Sequence, residues 1–277
     1  MEYKYFVNET FSFLYSLLIH ICVSIFTYNV SSLYETNIFL NIPITFVTVV
    51  VENYVLMYYI DSKSFNAKNF SENMILPKEE FKYEFHLNCL TTMSIETLTF
   101  IFIKRNIITN NSLSLNNFLI FIPLSFIFEI IFDFFHYISH RLSHTKYLYK
   151  FHKKHHKFSD VTSIVTFYNH PIDFIWSSST PLILTTLIID NISLFNFHLL
   201  LTYKHKGEIA GHLGKKIYPM TSFSQFKWLA LLFDIQLYAE DHYLHHQLTN
   251  CNFSKRFSLW DKLFGTYKSP FKDIKYN

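Results

Sequence analysis

Glycine and cysteine are scarce in this chain of 277 residues, which has four glycines and three cysteines. It contains no glycine-rich phosphate loop and no nicotinamide-binding fingerprint. The cysteines, Cys22, Cys89 and Cys251, lack the spacing of a metal site, and we expect them to be reduced, small hydrophobic side chains. No Ser/His/Asp or Cys/His arrangement points to nucleophilic catalysis.

Charge is also sparse, with 24 basic residues against 21 acidic ones. The net charge of +3 selects no partner, and we expect no nucleic-acid ligand. Six basic residues nevertheless gather between positions 141 and 157, and by the positive-inside rule this segment should face the cytoplasm. The pair Lys104–Arg105 weakly opposes that orientation. The gathered residues are Arg141, Lys146, Lys150, Lys153, Lys154 and Lys157.

Half of the chain is hydrophobic, and the apolar residues collect in long runs. A bilayer core of roughly 30 Å needs about 20 apolar residues to span it. We therefore predict an all-α, multi-pass membrane helical bundle whose first run is an anchor and not a removed signal. The main runs are 11–33, 38–60, 87–103 (the weakest) and 115–135. Two shorter stretches, 171–189 and 192–203, should form a hairpin joined at Asp190–Asn191.

Histidine is abundant for so apolar a chain, and most of the 15 histidines are clustered. On a helix, spacings of three and four residues would place one group on a single face: Asp133, His136, His140 and His144. Two H-x-x-H-H boxes follow at 152–156 and 242–246, and we expect each to aim its imidazoles at one place. Without a metal, clustered imidazoles would repel one another when protonated. Together they exceed what one ion can use, so we predict a pair of metal ions, although imidazole alone does not select the element.

Several motifs occur in a fixed order along the second half of the chain. They are D-x-x-x-Y-x-x-H-R-x-x-H from Asp133 to His144, H-x-x-H-H at 152–156, N-H-P at 169–171, Gly211–His212, H-x-x-H-H at 242–246, and WDKLFGTY ending at Tyr267. In this order they resemble the fatty acid hydroxylase/sterol desaturase family over roughly residues 115–268. We therefore divide the chain into an N-terminal part, 1–114, with transmembrane hairpins, and a catalytic domain, 115–277.

The resemblance implies a non-haem di-iron oxygenase with a cytoplasmic helical cap that holds the metals. It implies nine ligands: His140, His144, His152, His155, His156, His212, His242, His245 and His246. His170, in the N-H-P motif, is left open between a ligand and a structural residue. Hydrogen-bonded support for the ligands is expected from Asp133 (for instance to His140) and Asp241. Glu208, one helical turn before His212, is left open between a residue that orients a ligand and an ordinary polar neighbour.

Two positions depart from the pattern of the family. Tyr243 occupies a place that is often acidic, so Asp241 precedes the last box instead. His136 replaces an aromatic residue, which leaves it open between a partner of a ligand and an interfacial histidine. Neither departure removes an expected ligand.

The activity implied is O2-dependent hydroxylation or desaturation of an unactivated C–H bond in a lipid, with a sterol favoured over a fatty-acyl or sphingolipid substrate. Two iron ions would act as cofactors, and electrons would come from NAD(P)H through a cytochrome b5-like carrier. The location implied is the endoplasmic reticulum. The alternatives from other classes are a His-rich membrane metal transporter and a non-catalytic lipid-binding relative.

Overall fold

The computed structural model describes residues 17–30, 37–70, 82–110, 114–189, 192–215, 223–225 and 227–269. Within these ranges every extended regular element is helical, and β-structure is limited to the isolated bridges Asn69–Lys215 and Asn110–Ser193. The predicted all-α class is confirmed for this part of the chain.

Four long helices form the first half of the described chain, and shorter helices follow. The long ones are α1 Leu17–Val30, α2 Ile38–Lys63, α3 Lys82–Asn106 and α4 Leu115–Ser143. The later ones are α5 Tyr149–His152, α6 Pro171–Phe174, α7 Thr180–Ile188, α8 Leu194–Gly211, α9 Lys227–Leu232, α10 Ala239–Leu248 and α11 Leu259–Leu263. Tight 3₁₀ turns cover His155–Lys157 and Ser163–Phe167, and a π-helical turn, Ile175–Ser179, joins α6 to α7.

Short polar side chains begin three of the helices. Asn37 accepts the backbone N–H of Phe39 at the start of α2, and Ser193 accepts that of Asn196 at 3.1 Å at the start of α8. Ser114 does the same for α4. These side chains satisfy N–H groups that have no partner in the first helical turn.

Two helices, α2 and α4, are long and apolar enough to cross a membrane. Their 26 and 29 residues correspond to roughly 39 and 44 Å of helix. Helix α2 also leaves large apolar side chains on the outside, among them Phe39, Val47 and Val51, as a lipid-facing helix would. The prediction of further crossings stays a prediction: parts of the run 11–33 and the joint at Asp190–Asn191 lie outside the described residues.

Helix α8 lies at the centre of the bundle, where it contacts α2, α4 and α10. Its apolar residues, such as Phe195 and Leu199, join side chains of α3 and α4, such as Phe100 and Phe128, in the largest apolar core. The helix ends next to His212, so the same element that fills the core carries a histidine to the end of the bundle.

Candidate metal centre

The nine histidines expected as ligands lie together in two groups. In each group the available ring nitrogens all lie within 4.8 Å of one another, a spacing that could hold a metal ion. The five-histidine cluster consists of His140, His144, His152, His156 and His245. The four-histidine cluster consists of His155, His212, His242 and His246.

Each H-x-x-H-H box contributes to both clusters. In the first box, His152 and His156 belong to the five-histidine cluster and His155 belongs to the other. In the second box, His242 and His246 join the four-histidine cluster while the intervening His245 crosses over. The expectation that each box aims at one place is therefore wrong, because adjacent residues of a helical turn, such as His245 and His246, point in directions about 100° apart.

The two boxes reach this arrangement through different backbones. The second box lies on one helix, α10. The first does not: α5 ends at His152, and a separate 3₁₀ turn carries His155 and His156. In both boxes, whatever the backbone, the three histidines are divided between two neighbouring sites.

The Nε2 atoms approach one another closely inside each cluster. In the five-histidine cluster, Nε2 of His152 lies 3.2 Å from Nε2 of His140 and 3.0 Å from Nε2 of His156. In the four-histidine cluster, Nε2 of His242 lies 2.9 Å from Nε2 of His212 and 3.2 Å from Nε2 of His246. The rings therefore converge through the same nitrogen.

The opposite ring nitrogens explain why this convergence suits a cation. Nδ1 of His140 and Nδ1 of His245 each lie 2.7 Å from a backbone carbonyl, and Nδ1 of His212 lies 2.8 Å from another. A carbonyl oxygen only accepts, so each Nδ1 must carry the proton and each Nε2 must present a lone pair. Lone pairs about 3 Å apart repel unless a cation lies between them. Nε2 of His144 is likewise buried, with no hydrogen-bond partner among the described residues.

A carboxylate supports the five-histidine cluster in the same way. The buried Asp173 lies with one oxygen 2.9 Å from Nδ1 of His152 and also accepts a hydrogen bond from Ser143. A carboxylate on the outer nitrogen of a ligating histidine fixes its tautomer and raises its basicity. Sequence reasoning missed Asp173, although the signal was present as an acidic residue two positions after the N-H-P motif.

Comparison with known proteins decides the family. The sequence model described as fatty acid hydroxylase matches residues 125–266, which contain all nine histidines. The chain belongs to the fatty acid hydroxylase family. The predicted resemblance is thereby confirmed, and it places the chain among lipid hydroxylases and desaturases at the level of the family.

A curated relative agrees with this assignment. The fatty acid hydroxylase vlmA of Lecanicillium sp is 30% identical over 148 residues. The aligned region is 50% of this chain and 40% of the relative, so the chain spans less than half of that protein. No solved structure matches the chain significantly.

The electrostatics around the two histidine clusters of this hydroxylase-family chain favour metal binding. Burial, reinforced by neighbouring imidazoles, holds the pKa of His155, His242 and His246 well below the usual 6.5. Burial lowers the pKa of His245 to about 3. These rings are therefore neutral near pH 7, and the neutral form is the one that binds a metal.

Asp133 does not support a ligand directly, which corrects the expectation of a contact with His140. Its carboxylate accepts three backbone N–H groups of residues 255–257, at 2.7, 2.9 and 3.0 Å. Nδ1 of His140 instead donates to the carbonyl of Phe253. Asp133 thus fixes the loop that carries this carbonyl, and Asp261 fixes the same loop by accepting the N–H groups of residues 253 and 254.

Asp241 also acts differently from the expectation, and Glu208 contacts a ligand through its backbone. The Asp241 carboxylate accepts the backbone N–H of Tyr238 at 2.8 Å and so caps α10, which holds the second box. Glu208 accepts the His212 ring through its carbonyl, while its carboxylate pairs with Lys204 and Lys255 at 3.2 and 3.1 Å. Asp241 therefore acts by capping the helix that holds the second box, and Glu208 acts through its backbone carbonyl. Neither carboxylate is hydrogen-bonded to a ligating imidazole in the described residues.

The two histidines left open at the sequence level take different places. His170 lies outside both clusters, and its Nδ1 accepts the backbone N–H of Ile172 at the start of α6. His136 is buried, and its Nδ1 lies 2.6 Å from the carbonyl of Ser177 in the π-helical turn. Its ring centroid lies 5.2 Å from that of His140.

A cavity adjoins both clusters. The five-histidine cluster contributes His140 and His152 to its wall, and the four-histidine cluster contributes His155, His212 and His242. The remaining wall combines apolar and polar side chains, including Phe167, Phe174, His136 and Ser177. A molecule in this cavity would lie next to both metal positions.

Proposed function

We propose that this protein is a membrane-bound di-iron oxygenase that hydroxylates or desaturates an unactivated C–H bond of a lipid. It would use O2 and externally supplied electrons. The observation that carries the proposal is the convergence of nine histidines, through their Nε2 atoms, on two adjacent sites in a chain of this family.

Two iron ions are the cofactors we propose, one in each cluster. An all-nitrogen donor set suits iron, and the shared boxes keep the two sites close together. The ring centroids of His156 and His246, one from each cluster, lie 4.6 Å apart. Bound there, the irons would supply the activation of O2 and the oxidation of the lipid.

The protein's own part is orientation and enclosure. Backbone carbonyls fix the outer nitrogens of His140, His212 and His245, and the Asp173 carboxylate fixes that of His152, so the inner nitrogens of these rings need little rearrangement on binding a metal. The cavity beside the clusters would hold the carbon to be oxidised against both sites, with Phe167 and Phe174 as apolar contacts. Catalytic side chains other than the ligands are not required.

For the substrate, we propose a lipid of sterol or acyl type. The N-H-P and WDKLFGT motifs favour a sterol, whereas the name of the fungal relative favours a fatty-acyl chain. We keep the sterol as the first candidate and the fatty-acyl or sphingolipid substrate as the alternative, and we treat residues 115–277 as the catalytic unit.

The electron donor we propose is a cytochrome b5-like carrier that receives its electrons from NAD(P)H. Four basic side chains are exposed on the segment before and within the first box, where they could meet an acidic partner: Arg141, Lys146, Lys150 and Lys153. A multi-pass protein in the endoplasmic reticulum, with the cap in the cytoplasm, would place this surface within reach of such a carrier.

The structure gives less support to the rival functions. A transporter would need ionisable ligands distributed along a path through the spanning helices. Here the nine expected histidines instead converge on two compact clusters. A non-catalytic relative would be expected to lose ligands, yet all nine are in place.

Lipid analysis of expressing cells tests the proposal. Cells that make the wild type should contain an oxidised lipid that is absent from cells that make His245→Ala. The matched control is His86→Ala, because His86 pairs with Tyr54 and lies outside both clusters. Equal product from all three proteins, or no product from iron-loaded wild type supplied with a carrier, would contradict the proposed function.

A further inference from the structure

A second cavity lies among α1, α2, α3 and α8, apart from the histidine clusters. Its wall combines polar side chains, including Thr45, Glu52 and Glu96, with the apolar Val49, Phe100 and Leu201. His205, on the same wall, precedes His212 by seven residues of α8, which corresponds to roughly 10 Å. The cavity is therefore separate from the metal centre.

The charged groups around this cavity are already matched. One oxygen of Glu96 lies 2.9 Å from Lys204 and 2.9 Å from Nε2 of His205. Lys204 also pairs with Glu208, which in turn pairs with Lys255. With Glu52, three carboxylates face two lysines and one histidine, so the network is neutral when His205 is protonated.

Several polar atoms on the cavity wall are nevertheless left without a hydrogen-bond partner among the described residues: the oxygens Thr45 Oγ1, Glu52 Oε1 and Glu96 Oε2, and Nδ1 of His205. Their side chains are more than nine-tenths buried, at 4% exposure for Thr45, 8% for Glu52 and 5% for Glu96. The distance from Glu52 Oε1 to Nδ1 of His205 is 3.7 Å, too long for a hydrogen bond. Buried polar atoms normally have partners, so this set calls for a group in the cavity that can both donate and accept hydrogen bonds.

We propose that the cavity binds the hydroxyl end of a neutral lipid. The unpartnered carboxylate oxygens accept hydrogen bonds and Nδ1 of a protonated His205 donates one, which selects a hydroxyl because it does both. The matched charges select a neutral ligand. Val49, Phe100 and Leu201 provide an apolar surface for the hydrocarbon next to the hydroxyl. Ionisable groups among spanning helices are costly unless they have a function, and holding such a ligand would supply one.

Two threonines on the wall provide a matched test. The Thr48 hydroxyl donates to the carbonyl of Ile44 in its own helix at 2.8 Å, whereas the Thr45 hydroxyl has no such bond. Thr45→Val and Thr48→Val therefore remove the same atoms from one helix face. Only the first removes a hydroxyl that has no hydrogen-bond partner in the described residues and so is free both to donate to a ligand and to accept from it.

The experiment uses the full chain in lipid nanodiscs with a hexadecanol that carries a photoreactive diazirine, and labelled peptides are identified by mass spectrometry. We expect labelling of α2, α3 or α8 in the wild type and in Thr48→Val. In Thr45→Val the labelling should fall by about three- to tenfold, the effect of one hydrogen bond. Unlabelled hexadecanol should compete with the probe, whereas hexadecane should not.

Equal labelling of Thr45→Val and Thr48→Val would overturn the proposal. So would competition by hexadecane that matches hexadecanol, or an absence of label from these helices, because the oxygens would then be satisfied by water alone. Metal content, measured on the same samples, tests the oxygenase proposal separately, since neither threonine belongs to a histidine cluster.

Discussion

One oxygen of the Asp173 carboxylate lies 2.9 Å from Nδ1 of His152, and Nε2 of the same ring lies 3.2 Å from Nε2 of His140. The carboxylate thus sets the direction in which His152 presents its lone pair. The hydrogen bonds recorded for Nδ1 of His140, His212 and His245 go to backbone carbonyls, which a side-chain substitution does not remove. A substitution of Asp173 can therefore test how far the orientation of a ligand matters.

We expect Asp173→Asn to weaken metal binding by about tenfold, the low end of the range for partners of ligating histidines, because the amide keeps the shape but loses the charge. Competition with a calibrated chelator measures the affinity. Asp234→Asn is the control, since Asp234 is exposed and pairs with Lys262 on the surface. Equal affinities for the two variants would show that the Asp173 charge has no role at the site.

The close approach of Gly207 to Arg256 gives a prediction about stability. A Cβ at position 207 would lie 2.0 Å from Nη1 of Arg256, whose buried guanidinium pairs with Glu129 at 3.2 Å. Gly207→Ala should therefore displace the guanidinium and lower the free energy of unfolding by about 1–3 kcal/mol, or more if the pair breaks.

Gly211→Ala is the matched control on the same helix, because nothing lies within 4 Å of a Cβ at that position. Its stability should be unchanged or slightly higher, as alanine favours a helix over glycine. Thermal unfolding in detergent compares the two variants. A midpoint for Gly207→Ala equal to that of Gly211→Ala would contradict the account of this contact.

The resemblance carried by the ordered motifs named the nine rings that meet, including His212, which the helical spacing alone did not single out. The spacing did not predict how the rings divide between the two sites, because the division depends on the break between α5 and the turn at His155. The all-α class followed from the long apolar runs. Residues 11–16 and Asp190–Asn191, on which two of the expectations fall, lie outside the described part of the chain.

The roles of the acidic residues were the least predictable part of the site. Asp133 lies one helical turn before His136 in sequence, yet its partners are backbone groups of residues 255–257, more than 120 positions away. Asp173 reaches His152 across 21 positions. Such partners are set by how helices and loops pack, and helical periodicity contains no information about them.

Stability of the metal-free protein should fall as the pH falls from about 7.5 to 5.5. The folded chain holds the pKa of His155, His242, His245 and His246 below the usual 6.5, so in this window the unfolded chain binds protons that the folded chain does not. Asp241 opposes the trend, because burial raises its pKa to about 7, but the four histidines with a lowered pKa outnumber it. Thermal midpoints at both pH values measure the effect, and an equal or higher midpoint at pH 5.5 would contradict it.

The most direct test of the central claim is the iron content of the purified protein, compared between the wild type and one variant in each cluster. Our account predicts about two iron ions per wild-type chain, the number that a two-metal site holds. It predicts loss of iron both in His245→Ala and in His155→Ala, which remove a ligand from the five- and four-histidine clusters respectively. A wild-type protein that binds no iron when reconstituted anaerobically, or whose iron content is unchanged in both variants, would contradict it.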